Sequence, residues 1–554
     1  MRRVKALGAI GLGTALAVGG LSVPAAVAAQ VYYVPVTDRL TVHGHGYGHG
    51  HGMSQHGAEG AARQGKSFRE ILAHYYPGTD LGRMRGKIRV LISADTTSDV
   101  KVSPARGLTL RDRAGGQAWT LPASDRIDRW RILADGRVQL HNGKRWRRWD
   151  VPGGQTKLRG EGEFFAKRPL TLWVPGGGGE VAKRYRGALR SSHGDTVNVL
   201  NMDGYLRGVV PAEMPASWSL EALKSQAVAA RTYATRDRSA NRTRYYQTCD
   251  TTSCQVYGGV ASEYPSTNTA VRQTARMILR YRGEPAFTQF SSSSGGWTSS
   301  GGYPYLPAKQ DPWDDWAGNS VHSWSTTVDA GVLERRYGLG NLRAIKVTRR
   351  DGNGQWRGRA LSVRLTGSKR DVTISGDDFR WAYGLRSNWF TIAQTPIMAR
   401  WRRIGGASSP VGRPASGEQA TAHSGAVQRF RKGRIFWHRR TGARELYGPI
   451  LREYRSLGAA GSYLRYPRTG VQRIGARDSV VVFQRGRVYR NRPTGVHAVG
   501  RGWLRAYSRA GLERGRLGLP TTDVYGVKRG KRMKFEGGKI TRRRNGTFRI
   551  AYRR

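Results

Sequence analysis

Between residues 86 and 181, apolar residues recur at every second position, as in Ile88, Val90 and Ile92 or Val138 and Leu140. Trp130-Arg131-Ile132 and Leu170-Thr171-Leu172 repeat the pattern, with glycines and Asp-Gly turns between the runs. Successive side chains of an extended chain face opposite ways, so this period of two predicts short antiparallel strands, each with one buried face. Residues 185–200 predict two more, ending in Val197-Asn198-Val199-Leu200. The period then changes. Leu220, Leu223, Ala227, Ala230 and Ala234 share one helical stripe, with Ser219 as N-cap and Glu221 in the first turn, where its charge suits the helix dipole. The stripe is mostly alanine, so a neighbour can pack very close. A second helix is predicted over 268–281, with Ala270, Val271, Ala275, Ile278 and Leu279 inward and Gly283 past its end. Upstream, Ala61, Phe68, Ile71, Leu72 and Tyr75 keep near-helical spacing until Pro77-Gly78. The pattern describes an α+β domain, rich in β structure, with two main helices.

Three segments fall outside this pattern. Residues 41–57 read TVHGHGYGHGHGMSQHG and hold five of the chain's twelve histidines. If extended, His43, His45, Tyr47, His49 and His51 share one face, and Gly44, Gly46, Gly48, Gly50 and Gly52 leave the other bare, open to close approach by a backbone or a polymer. Residues 290–302, FSSSSGGWTSSGG, combine flexible residues with Trp297 and adjoin Tyr303-Pro-Tyr-Leu, which predicts an ordered binding loop. In the tail, Val411-Gly-Arg-Pro414, Leu464-Arg-Tyr-Pro467 and Leu517-Gly-Leu-Pro520 recur at steps of 53. Trp401, Tyr454 and Tyr507 keep that step, as do Phe430 and Phe483, with Phe535 one residue short. Residues 399–554 therefore read as a tandem array with a truncated last unit.

Charge and targeting narrow the setting. Residues 1–29 have a basic start, an apolar run and a small-residue end, Ala25-Ala26-Val27-Ala28-Ala29, the pattern of a secretory signal peptide. The net charge is +56, and residues 399–554 carry 38 Lys+Arg against 7 Asp+Glu. Such charge calls for a polyanionic partner. For an exported chain those are anionic cell-wall polymers rather than nucleic acid, so the protein is expected to be secreted and wall-associated. Cys249 and Cys254 are the chain's two cysteines; a short-loop disulfide or a zinc clip would suit them.

The candidate chemistry centres on Glu213, between Pro211 and Pro215, with Met214 and Trp218 near enough in sequence to desolvate it. Each proline pushes its preceding residue toward extended geometry, which predicts a stiff connection into the 220s helix. A carboxyl in an apolar setting keeps its proton to higher pH and can act as a general acid.

VVPAEMPASWSLEALKSQAVAARTYA, starting at Val209, resembles the signature of the SpoIID/LytB family, the stage II sporulation protein D and amidase-enhancer domain. CDTTSCQVYGG at 249–259, FSSSSGGWTSS at 290–300, LPAKQDPWD at 306–314 and SGDDFRWAYGLRSNWFTI at 375–392 agree with it, and the similarity spans roughly 86–392. GHGHGMSQHGA at 48–58 is similar to the family's GHGVGMSQ motif, and the tail resembles LGFP repeats, which are associated with the cell wall. The resemblance implies peptidoglycan glycan strands as substrate. It implies lytic transglycosylase activity between N-acetylmuramic acid and N-acetylglucosamine, with Glu213 as acid/base. Two non-catalytic roles stay open, an amidase enhancer that activates a cell-wall amidase and a glycan-binding wall protein. His49, His51, Met53, Ser54, Gln55, Gln226, Ser292, Ser293, Ser294 and Trp297 are the expected substrate-binding residues. The His/Gly row has two other readings, a tight structural turn and a metal strip. In sporulation members the GHGVGMSQ motif follows the other motifs; here it precedes them, which implies a circular rearrangement that still brings 48–58 beside Glu213. Some members bind zinc, but Ser253 stands where a histidine is common and no histidine lies between His193 and Cys249. A disulfide is therefore favoured over zinc, and no cofactor is expected.

Overall fold

The computed structural model describes residues 30–553; the signal-peptide reading of 1–29 lies outside them. Two antiparallel sheets carry the alternating segments. One has seven strands, in spatial order Thr248–Cys249, Lys87–Leu91, Asp195–Asn201, Ala188–Ser192, Gly162–Phe165, Thr109–Asp112 and Ala118–Thr120, with only the short first strand parallel to its neighbour. The other has six, running from Trp146–Trp149 through Val138–His141, Arg129–Leu133, Asp99–Val102 and Leu170–Gly176 to Gly179–Tyr185. The inward residues of the period-two pattern (Ile88, Val90, Trp130, Ile132, Leu170 and Leu172) form one core with Tyr205, Leu206, Val209 and Val210.

Five helices and two short strands hold the site. Helix α1 (Gln55–Arg63) starts at Ser54, whose Oγ accepts from Gly57 N–H at 3.0 Å. Helix α2 (Phe68–Tyr75) starts in a Ser67/Glu70 capping box. The single helical run expected upstream is thus two helices, broken at Gly65, where φ is +80°. Helices α3 (Met202–Glu213) and α4 (Leu220–Ala240) follow the sheet strands. Leu220 is exposed and lies off the buried stripe. Helix α4 is apolar on two sides: Ala227, Ala230 and Ala234 meet the sheet core, while Ala222, Leu223, Val228 and Ala229 meet a second cluster around α1 and α2. A helix buried on both sides must satisfy its polar residues internally. Ser225, Thr232 and Thr235 do so by donating to the carbonyls four residues back.

The helix expected over 268–281 is shorter. Helix α5 is Pro265–Gln273, Arg276 adopts a positive φ of 65°, and Met277–Tyr281 is a strand paired to Asp80–Arg83. Pairing with a distant strand overrides the local helical spacing.

The N-terminal segment is woven into the rest. Gln30–Tyr33 pairs with Leu342–Arg350, Arg39–His45 lies between Ser323–Asp329 and Phe390–Ile392, and Met53–Ser54 runs parallel to Phe290–Ser291. Tyr32, Leu40 and Val42 accordingly share a core with Ile345, Val363, Phe379, Phe390 and Ile392.

The tail holds three four-stranded sheets, within 414–447, 472–500 and 525–552, each preceded by a helix: Pro396–Arg403, Gly448–Ser456 and Arg501–Arg509. The first unit thus begins at Pro396, slightly before the expected 399. Trp401, Tyr454 and Tyr507 donate to the carbonyls of Gly412, Arg465 and Gly518, eleven residues on, at 2.8, 2.7 and 2.5 Å. All three acceptor residues have positive φ. The 53-residue period is therefore one helix locked to one turn and one sheet. The third sheet has all four strands, so the unit expected to be truncated has a complete sheet.

Candidate active site

Helix α3 is capped by Asn201, whose Oδ1 accepts from Gly204 N–H at 2.6 Å, and Glu213 is its last residue. The expected extended connection forms only after it. Met214, ahead of Pro215, is extended (φ −137°, ψ 136°), whereas Val210, ahead of Pro211, stays helical. Packing of Val209 and Val210 in the sheet core holds the helical path there.

The Glu213 carboxyl opens on a cavity of about 220 Å³ lined by His49, Tyr233, residues 252–256, Gln289 and Phe290. Among the described residues it is the only acidic side chain lining that cavity. Its Oε1 accepts from Val256 N–H at 3.2 Å. Desolvation raises its pKa, and the Val256 bond opposes this more weakly. Met214 and Trp218 do not line that cavity. Met214 is buried in the cluster around α1 and α2, and Trp218 packs on His56, with ring centroids 4.8 Å apart. The wall is instead the loop closed by the Cys249–Cys254 disulfide, whose Cα atoms lie 5.4 Å apart. Gln255 pins that loop, donating to the Ala230 carbonyl at 3.3 Å and accepting from Tyr205 OH at 3.2 Å.

The displaced motif reaches this place. Gln55 Nε2 donates to the Glu213 carbonyl at 2.9 Å and lies 3.4 Å from Gln226 Oε1. His49 lines the cavity and stacks on His51 with centroids 4.8 Å apart. The His51 N–H donates to His49 Nδ1 at 2.9 Å, so Nδ1 is an acceptor and Nε2 carries the proton. His49 is exposed overall, yet desolvation, followed by His51, Arg359 and Arg380, holds its pKa well below the usual imidazole value. It is a neutral donor at neutral pH.

The row is a strand only as far as His45; Gly46, Gly48, Gly50 and Gly52 all have positive φ. Its two faces nevertheless differ as the alternation predicts. His43 and His49 are exposed, while Gly44, Gly46, Gly50 and Gly52 are buried. The close approach is made by the protein itself: a Cβ on Gly46 would lie 2.7 Å from the Ser293 carbonyl oxygen, and one on Gly48 2.7 Å from Ser291 Cβ. Among the described residues, no three His, Cys, Asp or Glu side chains converge to hold a metal.

Several residues expected to touch substrate are placed behind the site. Met53, Ser54, Gln226, Ser293 and Ser294 are at most 1% exposed, so they support the wall and do not meet a glycan. Ser292 accepts a backbone bond from His56, and Trp297 is half-buried in a bridge to Gln310. Asp314 ties the serine loop to the N-terminal motif. It accepts from Ser54 Oγ at 2.6 Å, Ser293 Oγ at 2.8 Å and the Ser294 and Gly295 amides at 3.0 Å each, and His322 Nδ1 lies 2.9 Å away. These bonds hold Asp314 ionised, while burial and the neighbouring Asp314 charge push Asp311 up to about 7. Tyr233, Gln289 and Phe290 were not singled out from sequence. Tyr233 sits two helical turns after Gln226 on α4, a spacing that could have revealed it. Gln289 carried no such signal, whereas Phe290 opens the expected binding loop over 290–302.

Residues 190–281 match the family described as Stage II sporulation protein (SpoIID), and residues 411–462 match the LGFP repeat. The amidase enhancer of Bacillus subtilis (strain 168) is 43% identical over 137 residues, 24% of this chain and 18% of that protein. Stage II sporulation protein D of the same organism is 28% identical over 236 residues, and that of Bacillus amyloliquefaciens 30% over 234; each match covers 38% of this chain and 63% of the relative. The chain thus spans less than two thirds of each of these relatives. It contains a SpoIID domain, with Glu213 inside the matched span, followed by LGFP repeat sequence.

Proposed function

We propose that this is an exported, wall-associated, peptidoglycan-active protein and that its SpoIID domain is a lytic transglycosylase with Glu213 as acid/base. The observation that carries the reading is a single carboxyl with a raised pKa in a small polar cavity, with no second acidic residue on the wall. Ordinary glycosidases need two carboxylates, one to protonate the leaving oxygen and one to activate water or attack C1. One carboxyl suffices when the nucleophile is internal. Protonated Glu213 gives its proton to the glycosidic oxygen as the C1–O bond breaks. The resulting carboxylate takes the proton of the muramic 6-hydroxyl as that oxygen bonds to C1, leaving a 1,6-anhydro end and the restored acid. His49, a neutral imidazole, lines the wall beside Glu213, where a sugar ring would pass. At about 220 Å³ the cavity holds the reacting linkage, with flanking sugars outside it.

The test is digestion of purified peptidoglycan with the wild type and Glu213→Gln, followed by mass spectrometry. Anhydro-muramic ends are expected from the wild type alone. Their absence from the wild type overturns the activity; equal yield from both overturns the role of Glu213. The similarity to an amidase enhancer supports a second reading, activation of a cell-wall amidase. That reading expects no anhydro ends and a faster amidase in a mixture, unaffected by Glu213→Gln. In either reading the basic tail holds the protein to anionic wall polymers, so a chain lacking 399–554 is expected to lose co-sedimentation with walls.

A further inference from the structure

The three tail sheets are built alike, but their faces are not used alike. In the first sheet Val427 stands opposite Phe436, and in the second Val480 stands opposite Tyr489. Val427, Phe436 and Leu446 are buried with Ile450, Leu451 and Tyr454 of the next helix. Val480, Tyr489 and Val499 are buried likewise with Ala506 and Tyr507. In the third sheet the same register places Arg532 opposite Thr541, and Thr541 opposite Arg549. Ala551 stands where the earlier sheets have Leu446 and Val499. The opposite face keeps its apolar residues, with Met533, Phe535 and Ile540 packed on the Tyr507 helix. Arg532, Thr541 and Ala551 thus replace the apolar residues on this one face, while Arg549 stands where the earlier sheets have Arg444 and His497. That face cannot receive a helix of the kind that covers the other two without burying unpaired charge.

The face is concave. It encloses about 840 Å³ lined by Arg529, Arg532, Lys539, Arg543, Arg544 and Arg549, with Thr541 and Asn545 and no acidic residue. Across 525–554 there are twelve Lys and Arg against one acidic residue, Glu536. Glu536 is engaged elsewhere, accepting from Asn491 Nδ2 at 2.9 Å and Leu519 N–H at 2.8 Å. Like charges gathered on one wall, without internal counter-ions, hold their place against repulsion most readily when an external polyanion neutralises them. Five of the six cations are arginines, whose forked donors match phosphate oxygens in pairs.

We propose that the open face of the third sheet is a binding site for a phosphodiester polymer of the cell wall, a chain of polyol phosphates. The choice of a wall polymer rests on the proposed export; the site itself does not depend on glycan cleavage. Row-to-row spacing across a sheet is about 4.8 Å, so a polymer crossing the strands meets a cation from each successive strand.

The experiment is binding of fluorescent poly(glycerol phosphate) to the full-length protein by anisotropy over a range of salt concentrations. A triple variant, Arg532→Gln, Arg543→Gln and Arg549→Gln, is compared with a charge-matched control, Arg452→Gln, Arg455→Gln and Arg473→Gln, exposed on the second unit. At about threefold per cation, the site variant is expected to bind about thirtyfold more weakly. Its slope of log affinity against log salt is expected to flatten by about two units. The control is expected to lose less than about threefold, and Glu213→Gln to bind as the wild type does, which separates this site from the catalytic reading. An Arg→Lys triple at the site should keep the salt slope and lose part of the affinity. Equal losses in the site and control triples would reduce the effect to net charge and overturn the proposal. So would tighter binding of duplex DNA than of poly(glycerol phosphate) at equal phosphate concentration.

Discussion

Gly52→Ala tests how the N-terminal motif is fastened to the cavity wall. Gly52 has φ +67°, and an added Cβ would overlap the Gln289 carbonyl oxygen, lying 3.0 Å from that carbonyl carbon and 3.1 Å from the Tyr76 ring. The carbonyl cannot retreat freely, because it accepts from Met53 N–H at 3.2 Å and from Tyr76 OH at 2.8 Å. The left-handed backbone costs an alanine about 1–2 kcal/mol. The overlap adds about 1–3 kcal/mol, whether as strain or as loss of those bonds. The comparison is Gly65→Ala, at φ +80° with nothing within 4 Å of the added atom, which bears the backbone cost alone. Loss of unfolded-state freedom is common to both and cancels. Urea unfolding of both variants beside the wild type should therefore place Gly52→Ala about 1–3 kcal/mol below Gly65→Ala. Because Gln289 and Phe290 line the cavity, release of anhydro ends should fall in Gly52→Ala and hold in Gly65→Ala. Equal stability of the two variants would refute the close-approach argument.

Raising the pH should destabilise the wild type relative to Glu213→Gln. The folded-state pKa of Glu213 is raised by desolvation, so its contribution is fully present below the unfolded value, near 4.3, and is lost as pH rises through the folded value. The Tm of the variant minus that of the wild type should grow over that interval and then level off; a pH-independent difference would count against a desolvated carboxyl. Arg231→Ala should cost about 3–5 kcal/mol. The Arg231 side chain is fully buried, pairs with Asp203 at 3.0 Å and donates to the carbonyls of Val271 and Met277. A loss below about 1 kcal/mol on urea unfolding would contradict this. Reduction of Cys249–Cys254, a closure of five residues' separation, should cost about 2 kcal/mol and loosen the 252–256 wall. Thermal unfolding and the yield of anhydro ends, with and without dithiothreitol, would register both effects.

Local pattern alone determined much of this protein. The period-two runs became strands, and the Ser219 helix and the tail's 53-residue step were readable because each depends on side chains within a few turns or one repeat. The burial of most of the glycines in the His/Gly row was likewise readable, although the extended backbone assumed for it ends at His45. What covers most of the glycine face was not, because Gln289, Ser291, Ser293, Trp324 and Arg359 all arrive from more than 230 residues away. Nor was the fate of 277–281: its spacing suits a helix, and only Asp80–Arg83, distant in sequence, makes it a strand. Sequence pointed to Glu213, but its neighbours in sequence, Met214 and Trp218, do not line its cavity. The disulfide loop, Phe290, Tyr233 and His49 closed around it instead. Buried serines, polar in composition, became supports because Asp314 satisfied them away from water. The sequence by itself determined the strands of the period-two runs, the α4 helix, the repeat of the tail and the choice of Glu213 as the candidate carboxyl. Only the tertiary structure decided what desolvates that carboxyl and which sheet face is left open and basic, because both depend on contacts between segments that no local pattern connects.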